Sequence, residues 1–233
     1  MRKRSWVASL AAWLLFSGIV AAQTPPASGA AAAPPSASAA PPPGGETGKH
    51  VVVEGFRSAH WGMTDAQVKA AIQGDFKVPA AKIRAEENAA EKTTVLSVEA
   101  SDVLEGAGLA RVSYIFGYTT KKLIQVNLLW GTSIDPRVKP EEIVTAANQL
   151  RQLFVDSGYQ PGAISNTRSA DGTIIVFEGQ DAQKHTTLLR LATTPAPAEP
   201  DKDNKDHASA TLFLIYILDA RNPDIFRLKE GQF

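Results

Sequence analysis

One order occurs twice along residues 50–233 and constrains the fold more than any other feature: a stretch of helical period followed by runs of period two. The first helical stretch follows Gly62-Met63-Thr64. Thr64 is a good N-cap, Gln67 three residues on completes a capping box, and Met63 can staple onto Val68. Val68 and Ile72 share a face, and Gly74 is the expected left-handed stop. The second stretch begins at Pro140, with Glu141 and Glu142 near the positive end of the helix dipole. Its stripe is Ile143, Ala147, Leu150 and Phe154, broadened by Val144 and Leu153, and Gly158 ends it.

Between the helices, residues 94–100 put Leu96 and Val98 on one face. Val112, Tyr114, Phe116 and Tyr118 alternate with other residues, and after a turn at 119–121 so do Ile124, Val126, Leu128 and Trp130. These two runs predict a hairpin whose aromatic face is core. After the second helix, strands are expected at 173–178, 186–193 and 210–218. Hairpin connections favour an α+β fold, one antiparallel sheet with two helices on one face. Phe76 and Tyr159 follow the two helix stops, and Pro79 and Pro161 follow them. That echo supports a duplicated helix–three-strand unit, residues 56–131 and 138–219.

The first 49 residues cannot join such a core. Arg2, Lys3 and Arg4 precede an uncharged apolar stretch that closes on Val20-Ala21-Ala22. Residues 1–22 read as a signal peptide cleaved after Ala22, so the protein is expected to be periplasmic or secreted; a retained anchor helix is the alternative. Residues 23–45 carry no charge and seven of the fifteen prolines. Small side chains and missing backbone donors cannot offset ordering entropy, so 23–49 reads as a disordered Ala/Pro-rich linker.

Charge and composition narrow the chemistry. The chain has 24 basic and 24 acidic groups, and removal of residues 1–22 takes three basic groups, leaving 21 against 24. A mildly acidic body without a polybasic segment is not built for nucleic acid or anionic lipid. No second apolar run is long enough to span a membrane. With no cysteine, disulfides, thiolate metal sites and lipid attachment through cysteine are excluded. No cofactor is expected.

Gly62-Met63-Thr64 followed by Val68, Ile72 and Gly74 resembles the helix entry of small exported α+β modules, the SmpA/BamE-type outer-membrane lipoproteins and the β-lactamase inhibitor protein fold. The likeness covers about a dozen residues. It implies a binding or adaptor role in the envelope, with another envelope protein as partner. The lipobox cysteine of those lipoproteins is missing here.

Motifs of catalysis are mostly lacking. Gly106-Ala107-Gly108 begins like a dinucleotide loop, but Arg111 stands where the third glycine belongs and a strand follows. Residues 201–206 begin like a calcium loop, but Lys205 and Leu212 occupy ligand positions. Arg57, His60 and Trp61, at the entry to the first helix, are the candidate interaction residues. Three functions remain. The first is a non-catalytic binding or adaptor module. The second is a small periplasmic hydrolase or isomerase, with Asp, His and Ser assembled in space around His60 or His185. The third is a binder of a small apolar ligand against Ile72, Leu150 or Phe154.

Overall fold

Two strand meanders meet tail to tail in one eight-stranded antiparallel sheet. A computed structural model describes residues 50–160, 163, 166–169, 173–194, 208–228 and 231. The expected signal peptide, the linker, residues 201–206 and Phe233 lie outside the described residues.

A small hairpin comes first, β1 (Gly55–Phe56) and β2 (Ala59–His60), then α1 (Asp65–Phe76) and a 3-10 turn at Ala80–Lys82. The first meander is β3 (Arg84–Asn88), β4 (Thr93–Ala100), β5 (Ala110–Phe116) and β6 (Leu123–Gly131). Helix α2 (Pro140–Val155) leads into the second, β7 (Thr167–Arg168), β8 (Ile174–Gln180), β9 (Thr186–Thr194) and β10 (Ser209–Ile217). The order across the sheet is β3-β4-β5-β6-β10-β9-β8-β7, so each meander's last strand lies at the centre. The seam pairs Leu128 with Leu214.

Helix and strand follow local chemistry. Thr64 caps α1, its Oγ1 accepting from the Gln67 amide (3.4 Å) while the Thr64 amide donates to Gln67 Oε1 (2.9 Å). In α2, the Lys139 amide donates to Glu142 Oε2 (2.8 Å) and Pro140 takes the first turn, where its missing N–H costs nothing.

Register sorts the strands into rows. Val98, Val112, Leu128, Leu214, Leu189 and Phe177 lie side by side. Leu96, Tyr114, Val126 and Tyr216 form a flanking row, and Ala110, Trp130, Leu212 and Leu191 the other. Val68 and Ile72 of α1, and Ile143, Ala147, Leu150 and Phe154 of α2, pack with these rows into one core. Tyr114, Phe116 and Trp130 are core residues, as their alternation predicts, while Tyr118 is half-buried beyond the strand. Burial pushes up the proton affinity of the Tyr114 and Tyr216 hydroxyls, so both are neutral.

Three expectations are corrected. Four strands follow each helix rather than three. The additional β3 reads Arg-Ala-Glu-Glu-Asn, an edge strand exposed over most of its length, and β7 has two residues. Neither carries the alternation that a buried face imposes. Gly74 does not stop α1, which runs on until Lys77 takes the left-handed turn (φ 55°). The extra residues bring Phe76 against the core. Val144 and Leu153 do not broaden the buried stripe of α2; both are exposed, and Ala146 is buried in their place.

Candidate functional site

Arg57, His60 and Trp61 share a hairpin but do not converge. Arg57 occupies a left-handed turn (φ 53°). Its guanidinium donates to the carbonyls of Asp75 (3.3 Å) and Asp102 (3.2 Å) and lies 4.6 Å from the centroid of the Phe76 ring. It ties the hairpin to the end of α1 and to the loop after β4. His60 is exposed, its Nδ1 3.9 Å from the carboxylate of a still more exposed Glu54, where water screens the pair. Trp61 turns to the second meander. Its Nε1 donates to the Val53 carbonyl (2.7 Å), and its ring meets His185 edge-on at 6.0 Å.

His185 does have a carboxylate partner, Asp181, which is 2% exposed and has Oδ2 3.0 Å from Nδ1. The same carboxylate accepts from the amides of Val53 (2.9 Å), Gln183 (2.8 Å) and His185 (2.9 Å). Its acceptor sites are thus engaged in closing the β8–β9 turn and gripping the incoming chain. Asp181 and Trp61 between them hold both backbone polar groups of Val53.

Two shallow clefts mark the surface. One, of about 260 Å³, runs between residues 51–57 and Phe154, Ser157, Tyr159 and Tyr216. The other, of about 210 Å³, lies between Glu105 and the start of α2 at Glu141 and Glu142. Neither is lined by His60 or His185. Of the residues expected around an apolar ligand, Phe154 borders the first cleft, while Ile72 and Leu150 are buried in the core. Tyr159 donates to Thr187 Oγ1 (2.7 Å); burial raises its pKa and that bond lowers it again in part. Among the described residues, no group of three His, Asp or Glu side chains is placed to hold a metal ion. No helix of the described residues is long and apolar enough to cross a membrane.

The sheet face turned away from the helices is the larger feature. Its central rows are Ser97, Ser113, Asn127, Ile215, Leu188 and Glu178, then Glu99, Arg111, Leu129, Phe213, Arg190 and Ile175. Leu129, Phe213, Ile215 and Leu188 adjoin one another across β6, β10 and β9, and Ile175 of β8 follows on the far side of Arg190; each of the five is half-buried and none belongs to the core. On one flank Arg111 pairs with Glu99 at 3.0 Å, and beyond it Ser97, Ser113 and Asn127 form a polar margin. The face thus sets an apolar cluster, with Arg190 inside it, beside polar and charged side chains. The chain matches no family model, no curated protein and no solved structure.

The sequence reading missed this face, although a signal for it is present. Residues 212–215 read Leu-Phe-Leu-Ile, apolar at every position, so β10 has to show hydrophobic side chains on both faces. One of those faces is the one that no helix of the described residues covers.

Proposed function

We propose that this is an exported envelope protein whose body binds another envelope protein, without catalysis, through the open face of the sheet. The observation that carries the proposal is the half-exposed apolar cluster of Leu129, Phe213, Ile215 and Leu188, with Ile175 beyond Arg190. Burying such side chains in a partner contributes roughly 25 cal/mol per Å² of apolar area, before the costs of association. The face is favoured over strand addition at the β3 edge, because Arg84, Glu86 and Glu87 there disfavour pairing with another strand. The Asp181–His185 pair anchors Val53 and lends the hydrolase or isomerase alternative no support.

The rest of the reading concerns the leader and the ancestry of the body. Residues 1–22 direct export and are removed after Ala22, and residues 23–49 space the body from whatever surface it serves. The body is a duplicated helix-and-meander unit, a reading supported by the mirrored strand order about β6 and β10. The resemblance to SmpA/BamE-type lipoproteins and the β-lactamase inhibitor protein fold agrees with an adaptor role.

A photocrosslinking side chain in place of Phe213, in intact cells, tests the docking face. The expected result is one envelope protein captured from Phe213, not from exposed Leu153 on α2, and lost with Leu188→Asp. Equal capture from both positions would overturn the proposal. A reporter fused after Phe233 tests export and should be active only outside the cytoplasm.

A further inference from the structure

One end of the open face is already occupied by the protein's own C-terminal segment. Side chains alternate along a strand, so Ile115 of β5, Gln125 of β6 and Ile217 of β10 share the face of Ser113, Asn127 and Ile215. Yet Ile115, Gln125 and Ile217 are only 5–9% exposed, and Thr93, on the same face of β4, is 0% exposed. The chain leaving β10 passes this end of the sheet. Leu218 donates its amide to the Ile124 carbonyl (3.0 Å), the Asp224 carbonyl accepts from the Tyr118 amide (2.7 Å), and the Phe226 amide donates to the Glu91 carbonyl (2.9 Å). The segment therefore crosses back from β6, past the β5–β6 turn, to the start of β4. Gly117, just past the end of β5, leaves room for it: a Cβ there would overlap the Asp224 carboxylate.

The attachments among the described residues are polar at Asp224 and aromatic at Phe226. The Asp224 carboxylate accepts from the amides of Thr119 (2.9 Å) and Thr120 (2.8 Å) and from Thr120 Oγ1 (2.6 Å), all at exposed positions. Phe226 meets Tyr118 edge-on at 5.6 Å, with Lys92 Nζ 3.9 Å from the centroid of its ring. Contacts of this kind open locally at a fraction of the cost of unfolding the sheet.

We propose that residues 218–228 form a displaceable strap that covers one end of the docking face and limits it until the strap leaves. The proposal rests on the reading of that face as a docking surface. Release would add Ile115 and Ile217 to the patch beside Ile215, and the strap's own Ile225 and Phe226 indicate the occupant: an extended apolar segment of a partner protein laid across the strands.

Hydrogen exchange on the full mature chain carrying Asp224→Ala tests the strap. The amides of Tyr118 and Phe226 should exchange roughly tenfold faster while those of Leu128 and Leu214 keep their rates. Binding of the apolar dye 8-anilinonaphthalene-1-sulfonate should rise roughly threefold or more, and Ile215→Ser in the same chain should remove the gain. The proposal is overturned if Tyr118 and Phe226 exchange only together with Leu128 and Leu214, or if the dye gain survives Ile215→Ser. Should Asp224→Ala not fold, Lys92→Ala decides by the same readouts, since it removes the cation over Phe226 and leaves the Asp224 contacts in place. A strap that opens while Phe213 captures no partner would sink the docking reading and leave the strap standing.

Discussion

The two faces of the sheet use similar side chains to opposite ends. On β10, Leu212 and Leu214 are buried under the helices while Phe213 and Ile215, one step along the same strand, stay half-exposed. Hydrophobicity does not separate these four residues. What separates them is which layer arrives: α1 and α2 bring Val68, Ile72, Ile143 and Leu150 to one side, and among the described residues the other side receives the C-terminal segment at one end. A face left apolar without a covering layer is a cost in solubility that a chain tolerates where the surface has a use.

The sharpest way to break this comparison is to truncate neighbours on opposite faces. Leu214→Ala should lower stability by about 2–5 kcal/mol, through lost transfer energy and a cavity under the helices. Phe213→Ala should cost less than about 1 kcal/mol, because its ring already meets water. Urea unfolding of both variants checks the pair, and equal losses would mean that both faces are core.

A smaller effect is expected where the incoming chain meets the β8–β9 turn. Asp181→Ala strands the amides of Val53, Gln183 and His185 and should cost about 1–3 kcal/mol, read as a drop in Tm with faster exchange at Val53. Unchanged exchange at Val53 would show that the grip does not hold the chain's entry.

Acid should act next, at two carboxylates held in loops. Side-chain and backbone hydrogen bonds from Arg137, with one from the Leu109 amide, hold the Asp135 carboxyl down to about 2. Burial raises the Asp224 carboxyl, but hydrogen bonds from Thr120 and Thr119 outweigh it and leave the pKa below the ordinary 3.8. Both folded-state values are depressed, so their stabilisation is fully present above about pH 4 and is lost as pH falls through them. Asp135→Asn should flatten the acid limb of a stability–pH curve, and Asp224→Asn should remove the acid sensitivity of exchange at Tyr118. The smallest change is expected from Glu99→Ala on the open face. Its partner Arg111 is about as exposed as Glu99 itself, and the pair is worth less than about 1 kcal/mol, a difference that 0.5 M salt should erase.

Much of the fold was legible because its signals are local. The Thr64–Gln67 capping box, Pro140 at the start of α2 and the alternation through Tyr114 and Trp130 each depend on neighbours a few residues away. The errors have the opposite character. Gly74 looked like a helix stop on propensity, but contact between Phe76 and the core extends α1 past it. Strand β3 was invisible because a charged edge has one partner and no buried face to enforce a pattern. The candidate residues Arg57, His60 and Trp61 were grouped by adjacency, yet their partners lie at Asp75 and Asp102, at Glu54, and at Val53 and His185 respectively.

Sequence alone determined that this chain has two capped helices and several alternating strands, because capping and periodicity act over a turn or two of backbone. It also set the apolar run through Leu212–Ile215. Which of those four side chains are covered was decided only in three dimensions, by the pairing of β6 with β10 and by the side on which the helices landed. Register and layer order join residues about a hundred positions apart, as in the grip of Asp224 on the turn at Thr119 and Thr120, and no local pattern encodes contacts of that span.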